Sequence, residues 1–384
     1  MIKVSLGIVI LAECINTPAA AQEQPENDVK TVVITGTPIT ELQAQLRNCI
    51  AAKCPPKLDI DASLSLAEGQ FLAGDYAGAR QTLGKSRGRN NRYAKTLPED
   101  VGDLNRAYGR IANFDGRPDR SHLAQITALD ALKAGLDKDD TRIFMQRVMV
   151  GDEYARAGRL HAAQDVYRKV ERQARKAGKI RAAGYAMFRE AVVYSAAASV
   201  WRGYRPSFED RVERLERTHE PELAEFRYAA KILRANLLAF DRNPEAVSQA
   251  VASIPPRSPE APVLIYSPVI RADEVMTGNA VMTGDPTPSW LDIRFRIAAD
   301  GTVHQVEVLR DSGNVDEVWP KQVLESVAGR RYAPLALPAG SAGPSRVERF
   351  SYVHDLVLRP ASRLSARKLQ GRITSLDLTV LPSR

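Results

Sequence analysis

The sequence predicts a multidomain chain, an N-terminal all-α part followed by a small C-terminal α+β part, and three observations carry that expectation. Between Glu41 and Pro255 apolar residues recur at helical spacing, broken by short Gly-containing turns. From Leu291 to Ile297 they alternate with period two, as in a half-buried strand. The stretch from Pro255 to Trp290 holds seven prolines, too many breakers for either class. The expected boundaries are 1–21 for a signal peptide, 22–40 for an extended N-terminal segment and 41–255 for the helical domain. A Pro-rich linker at 256–289, a sheet domain at 290–358 and a tail with a terminal strand at 359–384 complete the division. A linker so rich in breakers predicts that few contacts cross between the two domains and that the helical one folds alone.

At the N-terminus, Lys3 is followed by the apolar run Val4 to Ala12 and by Ala19-Ala20-Ala21, the layout of a secretory signal cleaved before Gln22. Lipid attachment at Cys14 would need a small residue before it, and Glu13 is not small. Export to a periplasm is therefore expected, with an uncleaved inner-membrane anchor as the alternative. No run of about 18 apolar residues is present to span a bilayer, so any membrane association is expected to be indirect. The net charge of +8 is spread over 54 basic and 46 acidic residues, which favours solubility over a dedicated nucleic-acid surface. After the polar stretch Gln22 to Asn27, Val32-Val33-Ile34-Thr35-Gly36 forms an isolated strand-like run.

Removing the signal leaves two cysteines, Cys49 and Cys54. In an oxidising compartment a disulfide is expected, and because five residues on a continuous helix hold the Cα atoms too far apart, the helix must end between them. Pro55 supplies that stop by driving the residue before it out of the helical region. The alternative is a pair of buried free thiols; a metal site lacks a third ligand nearby.

Within the helical part, Leu64 to Leu83 reads as helix, Gly-Asp turn, helix, with Ala79 and Leu83 on the returning face. Val150 to Val170 repeats the plan, and further helical runs occupy Ala183 to Trp201, Leu223 to Phe240 and Asn243 to Ile254. Gly151, Tyr154, Gly158, Ala163 and Tyr167 stand at the spacing of a tetratricopeptide unit, so this part resembles tetratricopeptide-like hairpins with degenerate, unevenly spaced repeats. Stacks of that kind present platforms for protein contacts.

No chemistry of catalysis is legible. Gly84-Lys85-Ser86 lacks the first glycine of a phosphate loop, Ala79 standing there, and it follows a helix instead of a strand. His122, His161, His219, His304 and His354 have no metal spacing, and no nucleophile motif occurs. No catalytic residue, metal, cofactor or small-molecule substrate is expected. The basic run Lys85, Arg87, Arg89, Arg92 and Lys95 reads as a solvated interhelical loop.

Past the linker, whose Val263 to Tyr266 run has the composition of a short strand, Leu291, Ile293, Phe295 and Ile297 alternate with Asp292, Arg294 and Arg296. Asp300-Gly301 makes a hairpin turn into Val303 to Leu309. Trp319, Val323 and Val327 then fall four apart on a helix that Pro320 opens and Gly329 stops. A last strand is expected over Val347 to Leu356, and Ile373 to Val380 alternates again as a terminal strand. The order β-β-α-β is close to the least that closes a core at this length.

This segment resembles the C-terminal domain of the TonB family through Ile293, Phe295, Ile297, Asp300, Gly301, Val303, Val306, Val308, Arg331, Tyr332, Pro334, Phe350 and Tyr352, although the loop Leu335 to Ser345 is long for that family. The resemblance implies a non-enzymatic protein-binding module of outer-membrane receptor or transport systems. It implies that the final strand offers Val347, Arg349, Ser351 and Val353 to an extended partner, an outer-membrane receptor box peptide being the suggested occupant, with Arg331, Tyr332 and Pro334 flanking it. Tyr332 alternatively belongs to the core. The Val32 to Gly36 run is similar to such a box, and that run or the tail is expected to cover the edge at rest. The alternative function is an anchored energy transducer of TonB-dependent transport, although the long extended spacer of such proteins is replaced here by helix.

Overall fold

The structure, a computed structural model, describes residues 37–240, 251, 254–268, 270, 281–282, 288–315, 318–358, 365–369 and 371–379. The signal segment, the Val32 to Gly36 run and most of the Asn243 to Ile254 helix lie outside them.

Among the described residues ten α-helices fill the first part: α1 (Ile39–Ala51), α2 (Pro56–Leu72), α3 (Tyr76–Asn90), α4 (Pro98–Phe114), α5 (Pro118–Gly135), α6 (Thr141–Arg156), α7 (Leu160–Lys176), α8 (Ile180–Val200), α9 (Arg205–Glu216) and α10 (Ala224–Phe240). Consecutive helices pack as antiparallel hairpins. The turns after α2, α4 and α6 share one chemistry, a glycine with positive φ at Gly74, Gly116 and Gly158, recurring every 42 residues. In each, the next amide returns to a carbonyl five residues back, Asp75 to Gln70, Arg117 to Ala112 and Arg159 to Tyr154, which closes the helix end. The turn after α7 has the same form at Gly178, with the Lys179 amide returning to Ala174, but it falls off that spacing, so the evenness is confined to the first three turns. Ala163 and Tyr167 are buried as expected, with Gly151 giving the Tyr167 ring room to approach.

The first hairpin is also stapled covalently. Helix α1 ends at Ala51, Lys53 takes a left-handed φ of 51°, and Cys49 and Cys54 are bridged with Cα atoms 5.1 Å apart. Because so short a loop removes little chain entropy from the unfolded state, replacing both cysteines with serine should cost about 2 kcal/mol, read as a shift in the urea midpoint. The basic run differs from the expected loop, since α3 continues to Asn90. Arg87 stacks on Tyr108 and bonds Asn105, while Arg89 pairs with the buried Asp59 carboxylate at 2.6 and 2.7 Å.

The second part carries strands β1 (Leu264–Tyr266), β2 (Val281–Met282), β3 (Ser289–Ile297), β4 (Val303–Asp311), helix α11 (Val318–Ala328), then β5 (Arg331–Tyr332), β6 (Ser345–Val353), β7 (Leu356–Leu358), β8 (Ser365–Lys368) and β9 (Arg372–Asp377). The main sheet is antiparallel in the order β4-β3-β6-β9, flanked by the pair β1-β5 and the three-stranded β2-β8-β7. Leu291, Ile293, Phe295 and Ile297 form its core with Trp319, Val323 and Val327 of α11, as the alternation requires. The strand expected over Val347 to Leu356 is divided. It begins at Ser345, breaks at His354-Asp355, and Leu356 enters the other sheet.

The expectation that few contacts cross between the two parts is overturned. The part of the polar face of the β3-β6 pair around Asp292, Arg349 and Ser351 does not meet solvent but lies on the ends of α2 to α4. Trp290 belongs to the same buried cluster as Phe71, Tyr76 and Phe114. Tyr76 and Ser351 hydroxyls bond at 2.7 Å, both buried, and burial raises the Tyr76 phenol above its ordinary value. Sequence alternation separates faces but does not say what covers the polar one.

Candidate functional site

At the centre of that interface Arg349 is fully buried. Its Nε and Nη2 donate to the Asp292 carboxylate at 2.7 and 3.0 Å, and Nη1 and Nη2 donate to the Phe71 and Leu72 carbonyls at 2.7 and 2.8 Å. Those carbonyls end α2, where orphan acceptors and the helix dipole both favour a cation. The guanidinium lies 3.8 Å from the Trp290 ring centroid, and Arg310 Nε donates to Asp292 Oδ2, the oxygen shared with Arg349 Nη2, at 2.7 Å. A planar five-donor group suits a site that presents four acceptors and a stacking face at once.

The α4–α5 turn holds the tail in a similar way. The Leu356 amide donates to the Gly116 carbonyl at 2.7 Å, and Arg367 Nη1 to the Asp115 carbonyl at 2.8 Å. Arg372 Nη2 bonds the Asn113 carbonyl at 2.6 Å and its Oδ1 at 3.0 Å, while its Nε bonds Asp355 at 2.9 Å.

Strand β6 is an interior strand. On one side it pairs with β3; on the other, Glu348 to Val353 pair in unbroken register with Asp377 to Arg372 of β9. Beyond the ladder, Thr379 Oγ1 accepts from the Val347 amide at 2.8 Å and Arg346 pairs with Asp377. The tail therefore covers the edge to which the resemblance assigns a partner. Of the residues singled out there, Arg349 and Ser351 face the helical part and are buried, Val353 is buried, and Val347 sits where the strand meets Thr379.

Arg331, Tyr332 and Pro334 are placed elsewhere. Arg331 and Tyr332 form β5, whose ladder is with Tyr266 and Leu264 of β1, and the Pro334 carbonyl accepts from the Arg257 amide at 2.7 Å. Tyr332 is a core residue packed near Phe295, its phenol pushed up to about 12 by burial. The arginine that reaches β6 is Arg330, one residue earlier, which holds both oxygens of Glu348 at 2.8 and 3.0 Å between the Phe295 and Phe350 rings. Burial alone would lower its guanidinium, but Glu348 and Tyr332 outweigh that and hold it above its ordinary value.

The opposite edge, β4, has no strand partner other than β3 among the described residues. Its register slips twice, beside Leu309 and beside Gln305, and Gln305 takes a left-handed φ of 52°. Bulges of this kind bend an edge and interrupt its row of main-chain groups. Charges at Glu307, Arg310 and Asp311 blunt it further, although Val308 and Leu309 are exposed. Among the described residues no group of three or more His, Cys, Asp or Glu side chains is placed to hold a metal ion, and no helix is long and apolar enough to cross a membrane.

No protein-family model matches the chain, and no curated protein matches it.

Sequence reasoning missed Asp292, Arg330, Trp290, Tyr76 and Arg372. A charged residue in strict alternation with apolar ones looks solvated, so Asp292 and Arg349 carried no warning; Trp290 at the head of β3 was the one available sign that the polar face is covered.

Proposed function

We propose that the chain is an exported, non-enzymatic protein-interaction module that accepts an extended strand of a partner beside β6 by displacing its own edge strand β9. The reading keeps the likeness of the two parts to tetratricopeptide hairpins and to the TonB C-terminal domain, and with it a working place in the periplasm beside outer-membrane receptor or transport systems. One observation carries it: among the described residues the regular edge of the sheet is covered by the six-residue strand β9, while the opposite edge is twice bulged. A short edge strand can leave and return without moving the rest of the sheet, and main-chain hydrogen bonds give any incoming strand a common source of affinity.

The experiment uses a labelled peptide of residues 371–379 and the full chain carrying Ile373→Asp and Leu376→Asp, which remove the apolar anchors of β9. Saturable binding to that variant is expected, at least tenfold tighter than to the wild-type chain, whose own strand competes at high effective concentration. Absence of binding to both would refute strand exchange.

A further inference from the structure

The two faces of β9 touch different parts of the molecule. Ile373, opposite Tyr352, packs into the sheet core beneath α11, and Asp377 on the same face pairs with Arg346. Leu376, opposite Arg349, packs against the cluster that holds Phe71, Tyr76 and Phe114 of the helical part. Arg372 lies on that second face and reaches the end of α4 through Asn113, while its Nε meets Asp355. Between these anchors Thr374 is half-buried and Ser375 exposed, so small polar residues suffice there.

From this we infer that the edge reads an incoming strand on both faces at once, the sheet domain selecting along one and the helical domain along the other. The inference rests on the strand-exchange reading above and names the chemistry of the partner. The strand carries a basic residue, an apolar residue directly after it, a second apolar residue three positions further on and an acidic residue after that. A glycine precedes the basic one, because a Cβ at Gly371 would come within 2.3 Å of the Tyr352 ring.

The adjacent parity of the first two positions puts them on opposite faces, and the odd spacing of the two apolar residues does the same for them. A strand with a single apolar face would fill one core and leave the other wet. Charge sets direction as well. The base belongs beside Asp355 and the helix C-terminal carbonyl of Asn113, the acid beside Arg346, so a strand inserted the other way round would bring like charges together at both ends. The helical domain is in this account a specificity element, supplying the acceptors for the base and the wall for the second apolar residue.

The test compares four peptides of residues 371–379 on the full chain with Ile373→Asp and Leu376→Asp: the parent, and versions with Arg372→Glu, Leu376→Asp or Ile373→Asp. Each substitution should weaken binding about tenfold or more, the first by removing charge-assisted hydrogen bonds and the others by wetting an apolar wall. Asp355→Lys in the chain should restore binding of the Arg372→Glu peptide and weaken that of the parent. Parent binding matched within twofold by the Arg372→Glu and Leu376→Asp peptides would overturn reading by the helical face while leaving strand exchange standing; no binding even of the parent would take down both. Should the doubly substituted chain lose its helical circular dichroism, the same comparison is made on the wild-type chain. Excess parent peptide should then speed amide exchange in residues 372–377, and the Arg372→Glu peptide should not; equal acceleration by both would overturn the inference.

Discussion

Replacing Arg349 with alanine is expected to destabilise the protein by about 3–5 kcal/mol, the cost of breaking a buried ion pair by removing one partner. The variant leaves the Asp292 carboxylate inside the interface with Arg310 beside it, strands the Leu72 carbonyl without its donor and leaves the Phe71 carbonyl with the Gly74 amide alone. It also removes the plate that stacks on Trp290. Asp292→Ala should cost a similar amount, and the double substitution less than the sum, because each single change already abolishes the shared interaction. Arg294→Ala serves as the contrast. Its pair with the exposed Glu307 lies on the same β3-β4 ladder but in water, so about 0–1 kcal/mol is expected. Denaturant unfolding followed by circular dichroism reads all four; a loss for Arg349→Ala no larger than for Arg294→Ala would mean that the sheet does not rest on the helical part as described.

A second large effect is expected at the turn glycines, where the repeat supplies its own control. Gly74, Gly116 and Gly158 have nearly the same backbone, with φ of 86°, 70° and 73°. Alanine at any of them meets the left-handed penalty of about 1–2 kcal/mol. At Gly158 nothing lies within 4 Å of the added carbon, so that penalty is the whole effect. At Gly74 the carbon would stand 2.2 Å from Trp290 Nε1, and at Gly116 2.3 Å from the His354 carbonyl oxygen. The backbone around both must shift and the sheet must lift, adding about 1–3 kcal/mol. Equal melting of the three variants would contradict the docking of the sheet on these turns.

Much of the fold was legible because period and punctuation act locally. The Asp300-Gly301 hairpin, the α11 residues Trp319, Val323 and Val327, and the stop at Pro55 each follow from a few neighbouring residues and stand where expected. The docking of the two parts was not legible. It depends on Arg349 meeting Phe71 and Leu72 across nearly three hundred residues of chain, and no local rule distinguishes a buried charge at a strand position from a solvated one. The Arg330-Arg331-Tyr332 run misled for a related reason: the motif drew attention to the residues in β5, while the side chain that reaches β6 belongs to the residue before them. The tail strand was read correctly from its alternation, and its place on β6 then follows from the need to cover an edge.

Strand exchange requires that β9 open on its own, before the sheet it covers. Native-state hydrogen exchange on the wild-type chain measures this directly, amide by amide. Amides of Arg372 to Asp377, and those of β6 that face them, are expected to exchange through a local opening well below the free energy of global unfolding, while amides of β3 between Leu291 and Phe295 exchange only with the whole molecule. If the β9 amides were protected to the same free energy as those of β3, the tail would be a permanent fourth strand and the edge would be closed to any partner.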